Sequence, residues 1–359
     1  MHHTHRTWPT VVDLFSGCGT VTAGLKKRHF RVVAAVDIDP VACETYRRNH
    51  KSTYLIQKDI RKVNPNIIRE KVLVSRPLDL LVVCAPCQPF SNQNRYKNEH
   101  DSRKELILES LRFVKALQPQ LIMFENVPGL AGKSFARILS KLVSRLASLG
   151  YVCGKPTKIN AADYGVPQRR HRCILLAARG QKPQELPSAT TPQGSRLTVA
   201  DALRGLRQLA TGQVDPRDSL HFSRQHSPIA LQRLAHIPKD GGSRFSLPPQ
   251  LELDCHKGKK GYPDVYGRMK WADIAPTLTT GCTDVTRGRF AHPEEDRAIT
   301  LREAARLQTF PDNYVFSGNA GEIAAQIGNA VPMKMVETIA SALRQAPTRR
   351  RSEPTRRRI

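Results

Sequence analysis

The 359-residue chain predicts an α/β fold: a doubly wound, mostly parallel sheet, interrupted late in the sequence by an inserted, loop-rich domain. Three observations predict it. Short apolar, β-branched runs alternate with stretches of helical period through about residue 179. A glycine loop, Ser16-Gly17-Cys18-Gly19, joins the first run to the first helical stretch. Beyond Gly180 the alternation stops, and prolines, glycines and basic residues accumulate until about Arg297.

Thr10 to Phe15 reads as the first strand, followed by the glycine loop and a helix through Leu25. Val32 to Asp37 is a second strand, and Pro40 opens a helix that runs to about Asn49. Tyr54-Leu55-Ile56, Asp79 to Cys84 and Gln120 to Phe124 are further strands. Leu106, Leu108, Leu111, Val114 and Leu117 recur at helical spacing, as do Phe135, Ile138, Leu139, Leu142, Val143, Leu146 and Leu149. Cys173 to Ala177 supplies a later strand. After the insertion, Thr300 and Glu303 have the spacing of a capping box, and a last helix runs from near Val331-Pro332 to near Gln345. The tail from Thr348, with six arginines, reads as disordered.

Composition narrows the function. Lys and Arg number 57 against 31 Asp and Glu, a formal net charge of +26, which favours a polyanionic partner, nucleic acid or an anionic membrane surface. No apolar stretch approaches the roughly 20 residues that a membrane-spanning helix needs. The stretch from Val11 to Leu25 carries Asp13 and no small-residue cleavage site, so no secretory segment is expected. Eight scattered cysteines with a single C-x-x-C pair, Cys84 and Cys87, predict reduced thiols in a cytoplasmic compartment. With no second ligand pair nearby, no metal site is predicted.

The glycine loop offers a ligand close approach and the free N–H groups of a helix start. Taken alone it is as readily a tight turn. It lacks the third glycine of a dinucleotide site and the lysine of a phosphate loop. Asp37 ends the second strand, where a carboxylate meets ribose hydroxyls, and Asp59-Ile60 follows the third, where an acid meets an adenine amino group. The competing reading is that Asp39 and Asp59 merely cap helices. Together the three signals favour an adenosine-bearing cofactor without phosphates. Cys87, just past an apolar strand and flanked by prolines, is placed for nucleophilic chemistry; a structural cysteine fits Cys84 better. A redox pair remains a competing class.

Asp13 to Gly19, Pro86-Cys87-Gln88-Pro89-Phe90-Ser91, Phe124-Glu125-Asn126-Val127, Gln168-Arg169-Arg170-His171-Arg172, Arg302-Glu303 and Gly328-Asn329-Ala330-Val331-Pro332 follow one another in this order. The ordered set resembles the DNA cytosine-5 methyltransferase family, in particular its compact bacterial members, from about Val11 to Leu343. The resemblance implies a Rossmann-like, S-adenosylmethionine-dependent catalytic domain over 1–179. It also implies an inserted target-recognition domain over 180–297, a returning segment over 298–345 that completes the catalytic domain, and a basic tail over 346–359.

It further implies that Phe15, Ser16, Gly17, Gly19, Asp37, Ile38, Asp59, Ile60, Pro86, Asn329 and Val331 bind S-adenosyl-L-methionine. Ile38 stands where an aromatic residue is frequent, and Cys18 and Thr20 where other small residues are. Cys87 would add to carbon 6 of a flipped cytosine, making carbon 5 nucleophilic. Glu125 would hydrogen-bond N3, Arg172 would reach O2 where charge develops, and Arg170 would brace the cofactor-side loop and Glu125. Ser91, Arg95 and Arg103 fall in a polar stretch that would close on DNA; Thr277, Thr279, Arg268 and Arg287 would contact it from the insertion. The expected partner is duplex DNA, with a separate cognate restriction endonuclease if the enzyme serves a restriction–modification system and none if it is an orphan methylase. No membrane is expected, for a monomer in the bacterial cytoplasm at the nucleoid. The family's transfer-RNA-methylating branch and a catalytically idle DNA-binding protein are the alternatives.

Overall fold

The computed structural model describes residues 8–86, 105–132, 136–259 and 261–345. In chain order the first half holds β1 (Thr10–Leu14), α1 (Thr20–Lys27), β2 (Arg31–Asp37), α2 (Pro40–Asn49), β3 (Tyr54–Gln57), the single turn α3 (Asn66–Ile68) and β4 (Leu80–Val83). It continues through α4 (Leu106–Leu117), β5 (Leu121–Asn126), α5 (Ala136–Ser148), β6 (Tyr151–Cys153), β7 (Thr157–Asn160) and β8 (His171–Arg179).

These strands form one sheet in the order β3-β2-β1-β4-β5-β8-β6, with β7 also on β8. β1 to β5 are parallel, and β8 runs antiparallel to β5, β6 and β7. β1 is the point where the winding reverses, between β2 on one side and β4 on the other. The two-residue period of β1 divides its side chains between the faces. Val12 and Leu14 join the core beneath α4 and α5, with Leu81, Val83, Phe113 and Leu142. Val11 joins the opposite core, with Val21 and Leu25 of α1 and Val336 and Ile339 of the last helix.

The alternation of the first half therefore predicts the parallel strands well. β6 and β7 escape it because they are only three and four residues long, β7 is largely polar, and their pairing depends on the nine-residue β8 rather than on a pattern of their own.

Beyond β8 come α6 (Val199–Leu203), the β9–β10 hairpin (Val214–Asp215 and Asp218–Phe222), α7 (Pro228–His236), α8 (Leu301–Leu307), α9 (Ala320–Asn329) and α10 (Met333–Gln345). The Thr300–Glu303 capping box forms as expected. A second box, Asn319 with Glu322, starts α9, a helix that the sequence pattern did not predict. The insertion is loop-rich but not loosely held. Ala230, Leu234, Tyr266, Val285 and Ala291 share one core. Val199, Met269, Leu278 and Phe290 pack with Leu301, Ala305, Ile323 and Ile327 in another. Among the described residues no helix is long and apolar enough to cross a membrane.

Candidate active site

Open α/β sheets leave a crevice at the carboxyl ends of the strands where the winding reverses. Here that crevice gathers the chain after β1, the end of β2, the end of β4 and the end of β5. Leu14 pairs with Val83, and Val83 with Phe124, so the three turns that follow lie side by side. Asn126 donates from its side chain to the Ala85 carbonyl at 3.3 Å, tying the β5 turn to the chain that leaves β4. Pro86 is the last described residue there. Cys87, Ser91, Arg95 and Arg103 lie outside the described residues.

The glycine loop is held open by its backbone. Phe15, Gly17 and Gly19 all have positive φ (60°, 51° and 94°). A Cβ on Gly19 would lie 2.5 Å from the His50 ring, whereas one on Gly17 would meet only open space. Asp37 closes the loop from β2: one carboxylate oxygen accepts the Gly17 N–H at 2.7 Å and the other the Asp39 N–H at 2.9 Å. Burial pushes the Asp37 carboxyl up despite these bonds. Ile38 beside it is 62% exposed, an apolar platform on the crevice rim. The buried Ser16 hydroxyl has no hydrogen-bond partner among the described residues.

Asp39 caps α2 through the Val41 and Ala42 N–H groups. Asp59 likewise caps the turn at Ile60, and both its oxygens also take the Arg61 guanidinium. The capping reading thus holds for both acids, and for Asp59 any ligand contact would share a carboxylate already paired.

Below the loop lies a buried polar layer that sequence reasoning missed. Tyr314 donates to the Cys18 carbonyl at 2.5 Å, and the His50 ring nitrogen lies 2.9 Å from the Gly19 carbonyl. Burial lowers the His50 pKa to about 4, so the ring is neutral and serves as a donor to that carbonyl. Asp13 is fully buried, accepts the Thr22 hydroxyl at 2.8 Å, and has its pKa raised to about 7, chiefly by burial. A histidine and a tyrosine 264 residues apart carry no local signal for such a contact.

At the β5 end, Glu125 Oε1 lies 2.9 Å from Arg172 Nε, and both side chains are largely buried. Burial raises the Glu125 pKa, while Arg172 and then Arg170 oppose the shift. Arg172 also donates to the His171 carbonyl at 2.7 Å. Arg170 is enclosed and grips backbone: Nη1 donates to Leu278 O at 3.0 Å, and Nη2 to Gly328 O at 2.7 Å and Ala330 O at 3.0 Å. Its part is positioning, as a brace of the returning segment. That segment leaves Asn329 exposed and Val331 nearly buried at the end of α9.

The DNA-facing expectations divide. Thr277 and Thr279 lie on a segment paired with the chain leading into β8, through the Gln168–Ala275 bridge and the Thr277 hydroxyl bond to the Arg169 carbonyl. Arg287 is two-thirds exposed, with Asp284 at 3.7 Å. Arg268 requires correction. It is fully buried and donates to the carbonyls of Leu234, Ile237, His292 and Glu295 and to Asp296, so it is a core strut of the insertion and does not reach DNA. Its position beside Lys270 read as a surface cation because sequence alone does not show the five acceptors enclosing it.

A profile described as "C-5 cytosine-specific DNA methylase" matches residues 9–345. The chain is 36% identical over 342 residues to the Type II methylase M.HgiDII of Herpetosiphon aurantiacus, covering 93% of this chain and 95% of that protein. It is 31% identical to the Escherichia coli Type II methyltransferase M.Eco47II, covering 91% and 76%. Among solved structures, one described as a DNA modification methyltransferase encoded within an Escherichia coli prophage superposes with a TM-score of 0.75 at 28% identity, covering 94% and 98%. The Schizosaccharomyces pombe Dnmt2 methyltransferase, at 19% identity and a TM-score of 0.62 over 93% and 98% of the two chains, shares the fold.

Proposed function

The chain belongs to the C-5 cytosine-specific DNA methylase family and is a DNA (cytosine-5)-methyltransferase, and from that premise we propose how its own residues divide the reaction. The proposed donor is S-adenosyl-L-methionine, which supplies an electrophilic methyl group. The residues of the crevice fit it: an open glycine loop, an anchored Asp37, the apolar Ile38 platform and the buried Ser16 hydroxyl, which has no partner among the described residues. Phe15, Gly19, Asp59, Ile60, Pro86, Asn329 and Val331 complete the binding set in this reading.

Carbon 5 of cytosine is a weak nucleophile. In the proposed sequence the Cys87 thiolate adds to carbon 6 and pushes electron density to carbon 5, which would take the methyl group as the donor's S–CH3 bond breaks and its sulfur leaves as a neutral thioether. Loss of the carbon 5 proton then expels the thiolate and restores the ring. Glu125, whose burial favours the protonated carboxyl, hydrogen-bonds N3 in this reading, and Arg172 meets the negative charge that builds at O2. The target base reaches them by leaving the duplex. Residues 180–297 read the site through Thr277, Thr279 and Arg287, while Ser91, Arg95, Arg103 and the arginines of 346–359 meet the backbone.

In keeping with its Type II relatives, the enzyme protects DNA against a separate restriction endonuclease, acting as a monomer in the bacterial cytoplasm on nucleoid DNA. The observation that carries the reading is the meeting of the Glu125–Arg172 pair with the chain leaving β4, through the Asn126–Ala85 bond. Expression in a methylation-free host followed by bisulfite sequencing tests it. One recurring sequence should be protected in cells with the wild-type chain and unprotected in cells with Cys87→Ser. Protection nowhere, from a folded wild-type protein, overturns it.

A further inference from the structure

Three buried polar side chains join the part of the molecule expected to read DNA to the part expected to close over the cofactor. Gln168 and Gln308 are fully enclosed, and Arg170 is 1% exposed. Gln168 accepts the Leu278 N–H at 3.1 Å and donates to Gln308 Oε1 at 2.8 Å. Gln308 in turn donates to Ile327 O at 2.8 Å and Ala330 O at 3.0 Å. Arg170 holds the Leu278, Gly328 and Ala330 carbonyls with one guanidinium. The backbone on both sides of the exposed Asn329 is thereby fixed to the backbone between Thr277 and Thr279.

The two segments also touch directly. A Cβ on Gly328 would lie 2.3 Å from the Thr279 carbonyl carbon, so only glycine lets them approach this closely. A buried amide that lost its partners here would leave several carbonyls unsatisfied at once. The contact is therefore stiff: a shift of residues 277–279 moves the Asn329 turn with it.

We propose that Gln308, through Gln168 and Arg170, is a positioning residue that couples target recognition to cofactor binding, so that each ligand tightens the other. This rests on the methyltransferase reading above for the identity of the two ligands. Coupling of this kind is reciprocal and commonly amounts to about 5–150-fold in affinity.

The test uses the full chain and tritiated S-adenosylhomocysteine in equilibrium dialysis, with and without a duplex carrying the sequence found by bisulfite mapping. In the wild type, the duplex should tighten S-adenosylhomocysteine by about fivefold or more. In Gln308→Met, of similar size but without the amide, that ratio should fall toward one, and the KM for S-adenosylmethionine should rise more than kcat falls. Arg306→Ala breaks the neighbouring Asp312 pair and one carbonyl bond, and should lower the melting temperature while keeping the wild-type ratio. A wild-type ratio of one, or an unchanged ratio in folded Gln308→Met, overturns the proposal. If Gln308→Met does not fold, Gln168→Met reports on the same relay, and the wild-type ratio still decides. If no protected sequence is found although the folded wild type binds S-adenosylhomocysteine, the DNA-target part of that reading is what has failed. Gln308→Met should then still bind S-adenosylhomocysteine about fivefold more weakly than wild type, and equal binding would overturn the relay itself.

Discussion

Glu125 Oε1 and Arg172 Nε face each other across 2.9 Å at the rim of the sheet, one from the end of β5 and the other from the start of the antiparallel β8. Because the strands run in opposite directions, a short step on each brings the acid and the cation to one point. Burial favours the protonated carboxyl and the two arginines favour its anion, and burial prevails.

That balance predicts a pH profile. Chemistry that needs the proton on Glu125 should fall as pH rises through its raised pKa. Arg172→Leu removes the largest opposing influence, so its alkaline limb should move to higher pH while the rate drops about 10²–10³-fold. Glu125→Gln keeps a donor and should lose this limb altogether, with more activity left than in Glu125→Ala. Methyl transfer measured from pH 6 to 10 checks the three together. An alkaline limb that persists in Glu125→Gln would assign the titration to another group.

Asp13 makes a separate prediction about stability. Its pKa is about 7 in the folded chain against 3.8 in the unfolded one. Between those values the folded state holds more protons, so stability should fall as pH rises from about 4 to 7. A tenfold difference in proton affinity between the two states corresponds to about 1.4 kcal/mol. Asp13→Asn, which keeps an acceptor for Thr22, should flatten this slope and match or exceed the wild type at pH 8. Thermal unfolding across pH 4–8 measures it, and identical slopes in the two proteins would contradict the assignment.

Alanine at Gly17 and at Gly19 should separate the proposed cofactor binding from folding. Alanine at Gly17 enters open space at a φ of 51°, at a left-handed cost of about 1–2 kcal/mol. It should raise the KM for S-adenosylmethionine about tenfold or more while the chain stays folded, as follows from about 1.4 kcal/mol of lost contact. Alanine at Gly19 meets the His50 and Tyr46 rings and should destabilise the fold by several kcal/mol. Paired melting curves and KM values decide. An unchanged KM in folded Gly17→Ala would mean that the space over Gly17 is not a binding site.

These contrasts also mark what the sequence carries. The parallel strands, the glycine loop and the capping box at Thr300 were legible because each is a local pattern with its own physical cause. The antiparallel β6 and β7 were not, since the pairing of so short a run is decided by its neighbour. Glu125 and Arg172 were legible one at a time, by motif; their 2.9 Å meeting was not. Gln308 and Tyr314 carried no signal, because a single buried amide or phenol gains its meaning from segments brought together from across the chain. Arg268 was misread for the same reason: a basic insertion full of exposed cations also needs charged struts inside it.

Arg268 and Arg287 should therefore behave as opposites when each is changed to alanine. Arg268→Ala leaves Asp296 with Lys239 and strips four carbonyls of a buried donor, so a loss of about 1–3 kcal/mol for each carbonyl left unsatisfied, several kcal/mol in all, is expected in unfolding free energy. Its effect on DNA should appear as less folded protein, with the salt dependence of the folded fraction unchanged. Arg287 is exposed and has Asp284 as its ion-pair partner at 3.7 Å, so its loss should change stability by no more than about 0.5 kcal/mol. If it meets a phosphate, the slope of log K against log salt should shrink by about one. A uniform loss across DNA sequences distinguishes that contact from base reading, which would relax preference at one position. Binding titrations at several salt concentrations, with urea unfolding of both variants, settle the pair. A stable Arg268→Ala with a shallower salt slope would return that arginine to the DNA face.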